Sequence, residues 1–141
     1  MIKGAGKMPF VLDASITASW AFAENAPQAE VALDRLQADR ALVPTLWWFE
    51  VRNMLVVNER RGRQTPIATT RFLRDLLKLA IVQDLAPDES EILRLARAHG
   101  LTVYDAAYLE LAQRSAVPIA TLDDALIRAA RAEAVSILGQ K

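Results

Sequence analysis

Short apolar runs alternate with longer amphipathic stretches along this chain. Phe10-Val-Leu12, Ala41-Leu-Val43, Ala80-Ile-Val82, Pro118-Ile-Ala120 and Val135-Ser-Ile-Leu138 are brief and mostly apolar instead of alternating, the pattern of strands covered on both faces. The stretches between them repeat with helical period. Ala14 to Phe22 is the first, and Pro27 opens the second, through about Ala38, with Ala29, Leu33 and Leu36 facing inward. Thr45 caps a long helix from Leu46 to about Arg61 that Gly62 ends, and Pro66 opens another carrying Ile67, Phe72, Leu73, Leu76 and Leu77. Asp88 and Glu89 begin a helix to His99 with Ile92, Leu93, Leu95 and Ala96 inward. Gly100 is its left-handed stop, and His99 reads as a surface residue near its end. A helix entered through Thr102 and Asp105 follows, and Ala125 to about Ala134 is the last. This alternation predicts one three-layer α/β/α domain around a central, mostly parallel sheet of about five short strands. Residues 1–8 read as a flexible leader and residues 9–141 as the domain.

Four acids fit this pattern poorly. Asp105 heads a stripe shared with Tyr108, Leu109 and Ala112, while Glu110, Gln113 and Arg114 fall on the opposite, wetter side. Capping is the structural explanation, since Thr102-x-x-Asp105 has the form of a capping box. Asp13 and Asp123 lie just past strand C-termini, the edge at which open parallel sheets form ligand sites. Asp13 could cap its own helix, and Thr121-x-x-Asp124 is again a capping-box pattern. Glu50 lies inside a helix, on the stripe Trp47, Glu50, Met54, Val57, where no cap is needed and an apolar residue would pack better.

Composition narrows what these acids can do. The 141-residue chain has no cysteine and one histidine, which excludes disulfides, thiolate zinc sites, cysteine nucleophiles and two-histidine acid/base chemistry within one chain. A reducing, cytoplasmic setting is compatible with this. Asp13 interrupts the first apolar run too early for a secretory signal, and no stretch approaches a membrane span. Formal net charge is zero, so nucleic-acid binding requires a local basic patch. Carboxylates that converge away from water repel one another or take up protons, and a divalent cation relieves both problems. Hard oxygen ligands without His or Cys suit Mg²⁺, with Mn²⁺ as a substitute. The chemistry that follows is phosphodiester hydrolysis by a metal-activated water.

The residues then carry a resemblance. Val11-Leu-Asp13-Ala-Ser15, Pro44-x-x-Trp47-x-x-Glu50-Val-x-Asn53, Tyr104-Asp-Ala-Ala-Tyr-Leu-x-Leu-Ala112 and Ala120-Thr-Leu-Asp123 resemble, in order, the motifs of PIN-domain proteins of the VapC toxin type. The resemblance implies a Mg²⁺-dependent endoribonuclease, the toxin of a type II toxin-antitoxin pair, homodimeric and silenced by a VapB-like antitoxin. It implies catalytic roles for Asp13, Glu50, Asp105 and Asp123, with Asp13, Asp105 and Asp123 as metal ligands. Ser15 and Thr121 support them, and Asp123 is preferred over Asp124 as the inward-facing acid. A non-catalytic metal-binding or regulatory interaction module of the same fold is the alternative. A receiver-like phosphoacceptor domain fits less well, because Asp13 is followed by Ala14 and no late strand lysine is present.

Two surface features remain. Arg60, Arg61 and Arg63 cluster at a helix end, where cations complement the helix dipole and could also contact RNA phosphates. Trp47 and Trp48 are consecutive and cannot face one core, so Trp48 is the candidate for a dimer or antitoxin surface. Aromatic content is only 6%, and no stacking platform for unpaired bases stands out from the sequence.

Overall fold

A computed structural model describes residues 8–140. Of the expected leader only Met8 falls within them; residues 1–7 lie outside the described residues. The elements run β1 (Phe10–Leu12), α1 (Ala14–Ala21), α2 (Pro27–Arg35), β2 (Ala41–Pro44), α3 (Leu46–Arg60), α4 (Pro66–Leu76), β3 (Ile81–Asp84), α5 (Glu89–His99), α6 (Val103–Ser115), β4 (Ile119–Ala120) and α7 (Asp124–Ala132). The four strands form one sheet in the order β3-β2-β1-β4, with every pairing parallel. The expected fifth strand over Val135–Leu138 is reduced to a single bridge, Ile119 to Ile137. β4 spans only two residues, which leaves little ladder for another strand to join.

Because all strands are parallel, their C-terminal ends reach one edge, and the acids follow from there. Leu12 pairs in register with Ala120, and the Asp13 amide donates to the Ala120 carbonyl at 3.0 Å. Asp13 and Thr121 therefore leave the sheet side by side. β2 ends at Pro44 and turns directly into α3, which brings Glu50 back over the same edge within two turns.

The helix ends largely follow their sequence signals. Thr65, Asp88 and Thr102 each accept a first-turn amide, Gly62 and Gly100 adopt left-handed φ values of 74° and 62°, and the Thr45 side chain makes no cap bond.

The inner faces agree less well. Ala29 and Leu36 are buried, but Leu33 is half-exposed, and on α4 only Leu76 is buried while Ile67 and Leu77 are 71% and 82% exposed. That helix packs on α3 with one edge of its apolar stripe and leaves the other edge outside.

The largest departure is in α6. Every residue from Ala106 to Ala112 is buried, since α5 and α7 pack against this helix as well as the sheet. Glu110, expected on a wet face, is 2% exposed. Arg114 holds both of its carboxylate oxygens at 2.6 and 3.1 Å and reaches on to Asp84 at 2.7 and 3.2 Å. Its charge is matched within one helical turn, which is what makes such burial tolerable.

Candidate active site

Asp13 sits at the N-terminus of α1 but makes no side-chain cap bond to it. Instead its Oδ2 accepts hydrogen bonds from the Ser15 hydroxyl at 2.6 Å and the Thr121 hydroxyl at 2.7 Å. Ser15 Oγ in turn accepts from the Leu122 amide, and Thr121 Oγ1 accepts from the Asp123 amide. Two hydroxyls from opposite ends of the chain thus fix one oxygen of a carboxylate that is only 6% exposed. Burial pushes the Asp13 carboxyl above its ordinary range, the two hydroxyls oppose that shift, and the Asp123 charge adds to it.

Asp105 resolves its own capping question. Thr102 accepts the Asp105 amide at 3.0 Å, which is one half of a capping box. The return bond from the Asp105 carboxylate is not among the described hydrogen bonds. That carboxyl is instead pushed up to about 6, first by burial and then by the charges of Asp123 and Asp13. Asp123 does cap: its Oδ1 accepts the Leu126 amide of α7 at 2.9 Å. Its charge is nevertheless felt by both Asp13 and Asp105, whereas Asp124 is exposed and perturbs neither.

Glu50 enters from the other side. Its Oε1 accepts a 2.5 Å hydrogen bond from the hydroxyl of Tyr108, a fully buried side chain one turn along α6 from Asp105. Burial pushes Glu50 upward, and the charges of Asp13 and Asp105 add to it. Tyr108 is raised as well, first by burial and then by Asp13 and Glu50, so its phenol stays protonated and remains a donor. Helical period puts Tyr108 on Asp105's stripe but gives it no role. The tyrosine side chain's length is what carries its hydroxyl from α6 to α3.

Asp13 and Asp105 thus feel Asp123 on one side and act on Glu50 on the other, and none of the four acids makes an ion pair with a described lysine, arginine or histidine. The described arginines that do pair serve Glu91, Glu133, Asp84, Glu110 and Asp39 elsewhere. His99 likewise meets Glu133, at 2.6 Å, and not one of these acids. Among the described residues no three acidic or histidine side chains are drawn together into a ready-made metal cage. An ion such as Mg²⁺ takes one or two carboxylates and keeps several waters, so an open, uncompensated all-oxygen donor set fits it. Arg60, Arg61 and Arg63 are exposed at the far end of α3 and do not contact the acids.

A pH dependence follows. Asp13, Glu50 and Asp105 all bind protons more readily folded than unfolded, so this site lowers stability at neutral pH and the penalty is relieved as pH falls. For Asp105 the window runs from about 6 down to its ordinary 3.8. Asp84, Glu91 and Glu133 are depressed by their arginine and histidine partners, so their contribution is lost only below about pH 4. In chelator, unfolding free energy is expected to rise by on the order of 1 kcal/mol between about pH 7 and 5, after discounting the half-exposed Asp105 for solvent screening. Urea melts across that range check it, and Asp13→Asn/Asp105→Asn should flatten the profile.

Comparison with known proteins shows the family. The PIN domain family matches residues 10–132. Ribonuclease VapC3 of Pyrobaculum aerophilum is 36% identical over 120 residues, covering 82% of this chain and 90% of that protein. Exonuclease VapC9 of the same organism is 35% identical over 80 residues, or 56% of this chain and 59% of that one. Among solved structures, PAE2754 from Pyrobaculum aerophilum superposes with a TM-score of 0.69 at 25% identity, over 89% of this chain and 87% of that one. A toxin-antitoxin complex from Klebsiella pneumoniae gives a TM-score of 0.54 at 17% identity, over 78% and 82% of the respective chains, a likeness of fold alone. With a family match spanning most of its length, this chain belongs to the PIN domain family.

Proposed function

We propose that this protein is a Mg²⁺-dependent endoribonuclease, with Mn²⁺ as a substitute ion, and the toxin of a VapBC-type toxin-antitoxin pair. The carrying observation is the uncompensated carboxylate set: the charges of Asp13 and Asp105 raise Glu50, that of Asp123 raises both Asp13 and Asp105, and none of the four makes an ion pair with a described basic residue. Names among its relatives, Ribonuclease VapC3 and Exonuclease VapC9, support nuclease activity.

Asp13, Asp105 and Asp123 would hold the ion, which when bound supplies Lewis acidity at a phosphate oxygen and an activated water. Ser15 and Thr121 fix Asp13 through Oδ2, and its Oδ1 accepts none of the described hydrogen bonds. Tyr108 fixes Glu50 through Oε1. Glu50 Oε2 remains to take the proton of the attacking water, a role favoured by a carboxyl held above its ordinary range by burial.

RNA is the substrate and a VapB-like antitoxin the inhibitor, and the domain comprises residues 9–141. The groove between α3 and α4, in which Trp48, Leu73, Leu76, Leu77, Leu79 and Ile81 lie beside Arg52 and Gln83, suits an amphipathic segment of the antitoxin or of a second protomer. No helix among the described residues is long and apolar enough to cross a membrane, and a cytoplasmic location is part of the same proposal.

Partner-free protein incubated with total RNA tests the reading. Discrete cleavage that needs Mg²⁺ or Mn²⁺ and leaves no 2′,3′-cyclic phosphate is expected, since water and not the RNA 2′-hydroxyl attacks. Cleavage that is indifferent to chelator, or that leaves cyclic phosphates, would overturn it.

A further inference from the structure

α3 carries Glu50 but has few directional ties to the rest of the domain. Its N-cap residue Thr45 makes no side-chain cap bond, and its first turn holds no acid. Among the described hydrogen bonds, only two from side chains join α3 to another element, while Arg52 and Asn58 bond back to carbonyls of their own helix. One of the two is the Tyr108 hydroxyl on Glu50 itself. The other is buried: the indole N–H of Trp47 donates to the Thr17 hydroxyl of α1 at 3.1 Å, with Trp47 5% and Thr17 0% exposed.

That bond has a particular place and chemistry. Thr17 lies four residues beyond Asp13, about 6 Å along α1, and Trp47 lies three residues before Glu50, about 4.5 Å along α3. Each partner therefore stands within about one turn of an acid. An apolar contact between helices needs neither group, since valine has the shape of threonine without a hydroxyl to desolvate, and a buried indole N–H costs free energy unless it finds an acceptor. Here each satisfies the other, so the contact is specified by distance and direction and not by volume alone. Asp13 itself is fixed to the sheet, through its amide on Ala120 and its carboxylate on Ser15 and Thr121. Glu50 rides on a helix outside the sheet, and its distance from Asp13 depends on how α3 packs against α1.

We propose that Thr17 and Trp47 are positioning residues: their bond fixes α3 against α1 and so sets the spacing of Glu50 from Asp13. The inference rests on the nuclease reading and extends its machinery to two residues outside the acid set. Tyr108 aims the Glu50 carboxylate, and Trp47 holds the helix that carries it.

Mn²⁺ binding by isothermal titration and RNA cleavage at saturating Mn²⁺, both on the full chain, test the assignment. Glu50 adds its charge to the field that holds the ion, so Thr17→Val and Trp47→Phe are each expected to weaken Mn²⁺ binding about tenfold and to lower kcat about tenfold. KM for RNA should stay within about twofold of wild type. Thr17→Ser keeps the acceptor oxygen and should stay within about twofold in every measure. In a Glu50→Gln background the same substitutions should change Mn²⁺ affinity by less than about twofold, because the charge they position is already gone. Melting temperature falls with loss of any buried hydrogen bond and does not decide the matter. Thr17→Val and Trp47→Phe proteins that melt lower but bind Mn²⁺ and cut RNA as wild type does would overturn the proposal. Equal weakening in the Glu50→Gln background, or a Thr17→Ser protein as weak as Thr17→Val, would overturn it too. The two readings fail separately. Mn²⁺ binding that depends on the Thr17–Trp47 bond, in a protein that cuts no RNA, removes the nuclease, whereas cleavage indifferent to both substitutions removes the positioning role.

Discussion

Asp13→Asn is expected to lower RNA cleavage by on the order of 10²–10³-fold or more, comparable to removing a principal electrostatic element of an active site, and at the same time to raise the melting temperature of the metal-free protein. The two effects have one cause. Asp13 is a nearly buried charge whose hydroxyl partners only partly offset its desolvation, so in the absence of an ion it opposes folding. Asparagine keeps an acceptor oxygen for Ser15 and Thr121 and removes the charge. If about 1 kcal/mol of repulsion and desolvation is relieved, the midpoint should rise by roughly 2–5 °C in a domain of this size. Cleavage rates and thermal melts of the same preparation in chelator check both halves. A variant that is inactive and less stable would make Asp13 a structural residue, and one that still cuts RNA would put the site elsewhere.

Arg114→Met should cost about 3 kcal/mol of stability, because it leaves the buried Glu110 carboxylate without its counter-charge. Glu110 is 2% exposed and both its oxygens are held by that one guanidinium, which also bridges to Asp84. Adding Glu110→Gln to the Arg114→Met background should recover most of the loss, since the penalty lies in the stranded charge and not in the missing bond. Urea unfolding of the two single variants and the double variant measures it. A loss under about 1 kcal/mol, within the range of an exposed pair, would show that the pair behaves as a solvated one. Nuclease activity per folded molecule should be unchanged, since Glu110, Asp84 and Arg114 are not among the groups that shift Asp13, Glu50 or Asp105.

What was legible in the sequence is mostly what one face of one element determines. The apolar runs around Phe10 and Ala41 are strands because they are covered on both sides, and the acids at strand ends gather because parallel strands end together. Glu50 stood out because a mid-helix acid on an apolar stripe has no local explanation. The misreadings arise where a second neighbour decides the environment. Helical period places Glu110 opposite Asp105, but α5 and the end of β3 cover that side too, and only the Arg114 pairing shows how the charge is accommodated. Ile67 and Leu77 continue an apolar stripe that α4 presents only partly to the domain. The fifth strand fails because β4 is two residues long, a property of the neighbour and not of Val135–Leu138. Thr121 was readable from its motif, but its convergence with Ser15 on a single oxygen depends on strand register. The reach of Tyr108 to Glu50 depends on how α3 and α6 pack, which no local pattern encodes.

The central claim is that these carboxylates form a site for a divalent ion. A thermal melt titrated with Mn²⁺ near neutral pH, on wild type, Asp13→Asn and Asp105→Asn, tests it most directly. Saturable stabilisation of the wild type is expected, reaching about 2.7 kcal/mol when Mn²⁺ is a hundredfold above its dissociation constant. The rise should be lost or moved to much higher concentration in both variants. No shift in the wild type, or an equal shift in all three proteins, would contradict the account.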